Sequence, residues 1–330
     1  MPSCKRTARQ NIFLTVATPY NACETAGWLI RNVTGPGRKN AGLVKCIPND
    51  YVFNKGIECK YRIIAVGDIM PMNGRRLSIG KKLSEFVSDG DCLIGNLAGT
   101  ITGAKRKRWP PALDQRHGTQ IIDALSDFFP PKKTYLSVAN NHAGDFGKEA
   151  FLKSTEALKM RGFGIFGWNE HPCAIINEEL RIITGTMWSN RSCDYVFTLD
   201  EAEQHIKSEA FNLLYPHFGF ELERYPRPDT VKLARGLIQK FDAIVGGHPH
   251  CPQPVTRETV SGFARLLAYS LGDFCCGLKM KKYQYGVVLK IEAGQDKSGN
   301  WVVGKSQWRL TRCQPETDGH FSVDLERGQL

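Results

Sequence analysis

The sequence predicts an α/β fold, and three observations carry that expectation. From residue 61 onward, short apolar runs alternate with amphipathic stretches. The apolar runs stop at or just before polar residues, among them Asp68, Asn96, Asn140, His217 and His248. The composition is globular, 42% hydrophobic and 23% charged over 330 residues, which excludes whole-chain disorder and allows one large domain or two small ones.

Taken in order, residues 1–59 show no strong period and contain the turn cluster Gly35-Pro36-Gly37-Arg38-Lys39-Asn40, so they read as an N-terminal extension or small subdomain before a main domain at 60–330. The run 62–66, closed by Gly67-Asp68, reads as a buried strand. The stretch 77–87 has helical amphipathicity with Gly80 inside it. A strand at 92–95 ends at Asn96, a helix at 119–129 is stopped by Pro130-Pro131, and a strand at 135–139 ends at Asn140-Asn141-His142. A helix at 148–160 places Phe151, Ala157 and Leu158 on one side, and 164–166 is a strand. Residues 173–185 read as a hairpin turning at Asn177-Glu178-Glu179. The strand 211–215 leads to His217, the helix 229–241 carries Val231, Leu233, Leu237 and Ile238, and the strand 243–245 runs into Gly246-Gly247-His248-Pro249-His250. Strand character returns at 266–270, 285–291 and 301–310.

Composition narrows the function classes. No run approaches the roughly 20 apolar residues of a membrane span. The 11 cysteines are odd in number, irregularly spaced and without a Cys-x-x-Cys pair, so they read as reduced thiols of a cytoplasmic protein. The apolar stretch at 12–17 is too short for a secretion signal. A net charge of +11 suits an anionic small-molecule or polymer substrate, and the run Lys105-Arg106-Lys107-Arg108 reads as a solvated loop or as a rim that steers such a substrate. Aromatic residues are not interleaved with basic ones elsewhere, which disfavours a nucleic-acid module. There is no phosphate-loop motif, no nucleophile-elbow serine and no dinucleotide fingerprint opening a helix.

What remains is the set at the strand ends: Asp68, Asn96, Asn140, Asn141, His142, His217, His248 and His250. Singly, each has a plain structural reading. Together, Asp, Asn and His are the oxygen and imidazole donors that bind divalent transition ions, and a sheet brings successive strand ends to one edge. Asp145 reads as a cap for the helix near Gly147, and Glu221 and Glu223 as a solvated loop or as support for a ligating histidine.

Six segments in order, Gly67-Asp68-Ile69-Met70, Asn96-Leu97, 139–147 (ANNHAGDFG), 217–221 (HFGFE), 246–250 (GGHPH) and 269–274 (YSLGDF), resemble the CapA family of poly-γ-glutamate capsule synthesis proteins, within the calcineurin-like metallophosphoesterase superfamily. The resemblance covers roughly residues 61–292. It implies a two-sheet αββα sandwich with two divalent metal ions, Mn, Fe or Zn, at the strand ends. Asp68 and His250 would hold the first ion, and Asn141, His217 and His248 the second. Asn96 falls near the bridging position, and His142 would be the acid at the leaving oxygen. Asn140, Asp273, Arg106 and Arg108 are the expected substrate contacts.

Two departures stand out. The family's Asn-Leu-Glu reads Asn96-Leu97-Ala98, removing a carboxylate, and its Gly-Asn-Phe reads Gly272-Asp273-Phe274, adding one. The expected function is a metal-dependent hydrolase in which activated hydroxide attacks a phosphoester. The alternatives are an amide hydrolase or ligase acting on a γ-glutamyl polymer or peptide, and a non-catalytic accessory protein of polymer synthesis.

Overall fold

The computed structural model describes residues 18–105, 114–317 and 319–328. Its frame is two β-sheets packed face to face, with helices on both outer faces, and the sheets are built where the apolar runs predict them. The strand Glu58–Ile69 is the hub of the larger sheet. On one side it pairs parallel with Cys92–Leu97, then Thr134–Ser137, then Gly164–Phe166. On the other it pairs antiparallel with Tyr285–Gln295, followed by Trp301–Thr317, His320–Leu325 and Arg76–Ile79. Two short strands attach to this path: Asp50–Val52 to Trp301–Thr317, and Asp273–Cys275 parallel to the hub.

The smaller sheet runs Val255–Val260, Phe263–Ala268, Ala243–Val245, Phe211–His217, Leu180–Thr186 and Cys173–Ile176, with parallel pairing among the inner four. Cys173–Ile176 and Leu180–Thr186 form the expected hairpin.

Alternation along each strand assigns residues to layers. On the hub, Ile63 and Ala65 enter the inter-sheet core beside Phe166, Ile182, Leu213, Val245 and Leu289, while Ile64 and Val66 face outward. The outward face is covered by the helices Lys81–Val87, Gln120–Phe128 and Lys148–Met160, which contribute Leu83, Leu125, Phe128, Phe151 and Leu158. The outer face of the smaller sheet is covered by Pro228–Leu237, through Val231, Ala234 and Leu237. The architecture is therefore the αββα sandwich, with both parallel segments buried on two faces, as parallel strands require.

One expectation is corrected. The stretch 77–87 is not one helix: Arg76–Ile79 is an edge strand and the helix begins at Lys81. Gly80 sits at the break, where a Cβ would lie 2.1 Å from Asp324 Cγ, so the strand that pairs with His320–Leu325 ends there. Residues 1–59 do contain a regular helix, Ala22–Thr34, capped by Asn21 through the Glu24 amide and closed by Gly35 at φ +93°. Only Thr25 of that helix is buried, and its apolar residues Leu29, Ile30 and Val33 are exposed.

Ten cysteines fall among the described residues and all are free, with Cys92, Cys251, Cys275, Cys276 and Cys313 buried. None of the described helices is long and apolar enough to cross a membrane.

Candidate metal centre

Register brings the polar strand ends to one level. Asp68 on the hub stands opposite Asn96 on one neighbour and Asp273 on another. His217 ends its strand beside Gly247, which starts the loop carrying His248 and His250. The carboxyl ends of the two sheets thus meet at one rim, the position where open α/β sheets place ligands.

The loop after Ala243–Val245 is conformationally unusual. His248 has φ +97° and His250 φ +53°, the left-handed region that non-glycine residues seldom occupy. Gly247 lets the loop approach: a Cβ there would lie 2.9 Å from Asp68 Oδ1. The His248 amide consequently reaches Asp68 Oδ2 at 3.0 Å.

Two groups of donor atoms result. In the first, Asp68, His250 and Asp273 each place a donor within 4.8 Å of the others. His250 Nδ1 is 2.8 Å from Asp273 Oδ1 and 3.5 Å from Asp68 Oδ2. Asp273 Oδ2 is buried with no hydrogen-bond partner, a costly arrangement for a carboxylate oxygen unless a cation faces it. In the second group, His217 Nε2 is 2.9 Å from Asn141 Oδ1 and 3.1 Å from His248 Nδ1. Two donors about 2.1 Å from one ion lie about 3.0–3.4 Å apart across ordinary coordination angles, so these spacings suit a shared cation. Glu221 adds a third carboxylate, within 4.8 Å of His248 and His250.

The electrostatics agree with cation binding. Burial pushes His217 down to about 4 against the opposing pull of Asp68, with His250 and His142 adding to the lowering, and burial followed by the neighbouring imidazoles pushes His248 well below its usual value. Both rings are neutral, the form that ligates. His250 runs the other way. Burial alone would drive its proton off, but Asp273, Glu221 and Asp68 together reverse this and raise it. The proton on His250 occupies the position of positive charge that a bound cation would take over.

The remaining residues orient this set. Asn96 donates its amide to Asp68 Oδ1 at 2.7 Å and accepts from Asn140 Nδ2 at 3.2 Å. Asn140 also donates to the Leu97 carbonyl and accepts from the His142 amide, which makes it a brace between strand ends. Asn141 donates to Asn190 Oδ1 at 3.1 Å, leaving its own Oδ1 on His217. Asp145 is not a helix cap. Gly147 takes that place without a side-chain bond, and Asp145 instead meets His142 Nδ1 at 2.7 Å and the Gln115 amide at 2.8 Å.

A cavity of about 410 Å³ opens at the rim, and His142, His250 and Glu221 reach it. Its other walls include Arg75, Tyr283 and, from the N-terminal region, Trp28 and Asn32. Asp273 belongs to the first donor group, and the lining of this cavity does not include it. Arg106 and Arg108, expected to contact substrate, lie outside the described residues. Ala98 is fully buried against Leu222 and Tyr283, an apolar contact where the family's glutamate would project. Tyr20 and Asn190 had no local signal in the sequence, because their partners are distant: Tyr20 bonds His248 across 228 positions.

Sequence comparison places the chain in a family. Residues 62–176 and 186–277 match the family described as bacterial capsule synthesis protein PGA_cap. A capsule biosynthesis protein CapA from Bacillus anthracis is 21% identical over 252 residues, covering 65% of this chain. The chain spans 59% of that relative's length. Among solved structures, a hypothetical protein from Thermus thermophilus aligns with 77% of this chain and all of its own, at 14% identity and a TM-score of 0.45.

Proposed function

The chain belongs to the bacterial capsule synthesis protein family, a metallophosphoesterase-like family, and from that premise we propose that it is a two-cation hydrolase acting on a phosphoester. The observation that carries the reading is the meeting of Asp68, His250 and Asp273 with Asn141, His217 and His248 at one rim of the sheets, beside a cavity that His250 and His142 line.

Asp68, His250 and Asp273 would hold one divalent ion, and Asn141, His217 and His248 the other. When bound, such a pair supplies Lewis-acid polarisation of the scissile group and acidification of water. Asp68 and Asp273 bring two carboxylates to a site that lacks a carboxylate at position 98. That negative charge offsets part of the charge of the cations. Asn96 and Asn140 keep Asp68 and the His142 backbone in register. His142, held through Nδ1 by Asp145, faces the cavity as the group that protonates the leaving oxygen. The cavity bounds the substrate to a small molecule or the end of a polymer.

The test is elemental analysis of the protein purified without chelator, alongside turnover of a phosphodiester and of γ-linked glutamate oligomers. About two transition ions per chain and phosphodiester turnover are expected. His217→Ala and His248→Ala should each lose at least one ion and nearly all turnover while keeping the far-UV circular dichroism of the parent. Wild-type turnover in either variant would refute the ligand assignment, and cleavage of the oligomer alone would move the activity to an amide.

A further inference from the structure

The N-terminal segment reaches into the metal centre. We propose that Tyr20 is a positioning residue for the second cation: its phenol oxygen accepts a hydrogen bond from the Nε2–H of His248 and so keeps the Nδ1 lone pair of that ring facing His217. The inference rests on the two-cation reading above and extends it to a segment outside the residues matched by the family.

The geometry is direct. Tyr20 Oη lies 2.8 Å from His248 Nε2, and the opposite ring nitrogen, Nδ1, lies 3.1 Å from His217 Nε2. An imidazole that ligates through one nitrogen commonly gives its other N–H to an acceptor, which fixes both tautomer and ring orientation. His248 is fully buried, and none of its described hydrogen bonds at Nε2 goes to another group. The Glu221 amide also donates to the Tyr20 oxygen, at 3.3 Å. A phenol oxygen can accept as well as donate, and in the proposed tautomer it accepts from Nε2–H beside the Glu221 N–H.

The phenol is held rigidly enough to act in this way. Its ring packs edge-on to Trp188 at 5.1 Å and stacks on Phe220 at 6.0 Å. Trp188 is itself fixed by a 2.6 Å bond from its indole to the Gly219 carbonyl. The helix Ala22–Thr34 that follows is tied to the same loop: Trp28 Nε1 donates to Glu221 Oε2 at 2.6 Å, Arg31 Nε to the Glu221 carbonyl at 2.9 Å, and Arg227 pairs with Glu24 at 2.8 Å. His248 needs such support, because its backbone stands at φ +97° and does not by itself settle the ring. Burial keeps Tyr20 protonated, so it acts as a neutral hydrogen-bonding group.

The experiment compares the full-length parent with Tyr20→Phe, which keeps the ring and removes the oxygen. Metal-free protein is titrated with cobalt(II), following visible absorption and competition with a chromophoric chelator. The parent should bind two equivalents. In Y20F one equivalent should bind as in the parent, and the other about 10–100-fold more weakly with an altered absorption envelope. Tyr61→Phe removes a phenol that bonds Glu179 on the other side of the inter-sheet core, and it should leave both cobalt affinities unchanged. A Y20F protein that melts lower but binds both equivalents as the parent does would assign Tyr20 to packing alone and overturn the proposal. A parent that binds one equivalent, untouched in Y20F, overturns it as well. A parent that binds no cobalt refutes the two-cation reading and this inference with it.

Discussion

Asp145 closes to 2.7 Å on His142 Nδ1, and that contact decides which imidazole nitrogen is left for the cavity. A carboxylate on one ring nitrogen fixes the tautomer and the ring plane, so Nε2 is the atom available to a leaving oxygen. Proton transfer of this kind contributes roughly 10²–10⁴-fold, and its value depends on how poor the leaving group is. His142→Gln should therefore lower kcat by about 10²–10⁴ on an alkyl phosphoester and far less on a nitrophenyl ester, with metal content unchanged. A uniform loss across the leaving-group series would remove His142 from the proton-transfer role. At this scale Asp68, Asn141, His217, His248 and His250 were legible as candidate donors, because they stand at or just beyond the ends of apolar runs, whereas Asp273 was expected to touch substrate and its place beside His250 and Asp68 is set by tertiary folding. The orienting partners were not legible. Asp145 lies three residues from His142, where a capping role is equally natural on spacing alone, and Asn190 and Tyr20 are joined to the site only by tertiary folding.

Between elements, the hub strand and Asp273–Cys275 make the closest approach at the site. A Cβ on Gly67 would lie 2.1 Å from the Gly272 carbonyl oxygen, and the Asp68 amide donates to that same oxygen at 2.8 Å. Since backbone is met on both sides, neither strand has a side chain to swing away. Gly67→Ala should cost about 3 kcal/mol, read as a lower urea midpoint at unchanged m-value, and should displace Asp68 from Asp273 with a loss of cobalt binding. An unchanged midpoint would mean that the two strands do not approach this closely. The parallel strands and the helices Gln120–Phe128 and Lys148–Met160 were legible because their burial follows a clear period. Asp273–Cys275 was not, being only three residues long and set by its partner strand. His320–Leu325 and Arg76–Ile79 form a parallel edge pair whose residues are half exposed in part, so no continuous apolar run marks them. The helix Ala22–Thr34 docks through Glu24, Trp28 and Arg31, by hydrogen bonds and ion pairs in place of an apolar face.

For the molecule as a whole, the same burial that prepares imidazoles for ligation makes the fold sensitive to acid. His117 shows this away from the cation ligands. It is buried on Arg116–His117, its Nε2 meets the Ala98 carbonyl at 3.0 Å, and its Nδ1 has no partner. Burial, the largest influence, lowers it to about 4, with His142 adding to the effect and the Ala98 bond opposing it. The unfolded chain returns it to about 6.5. Between those values the unfolded state binds more protons, so stability is fully present above about pH 6.5 and falls as the pH drops towards 4. At pH 4.5 the loss from this one ring is about 2.5 kcal/mol. The net charge of +11 grows further on acidification and adds repulsion between distant parts of the surface, but that term is common to parent and variant. His117→Gln keeps a donor for the Ala98 carbonyl and cannot titrate. The stability difference between parent and H117Q, measured by urea unfolding of metal-free protein, should shift against the parent by about 2.5 kcal/mol between pH 7 and pH 4.5. A difference that stays constant over that interval would mean that His117 is protonated inside the fold, and with it that the layer between the hub strand and the outer helices admits charge.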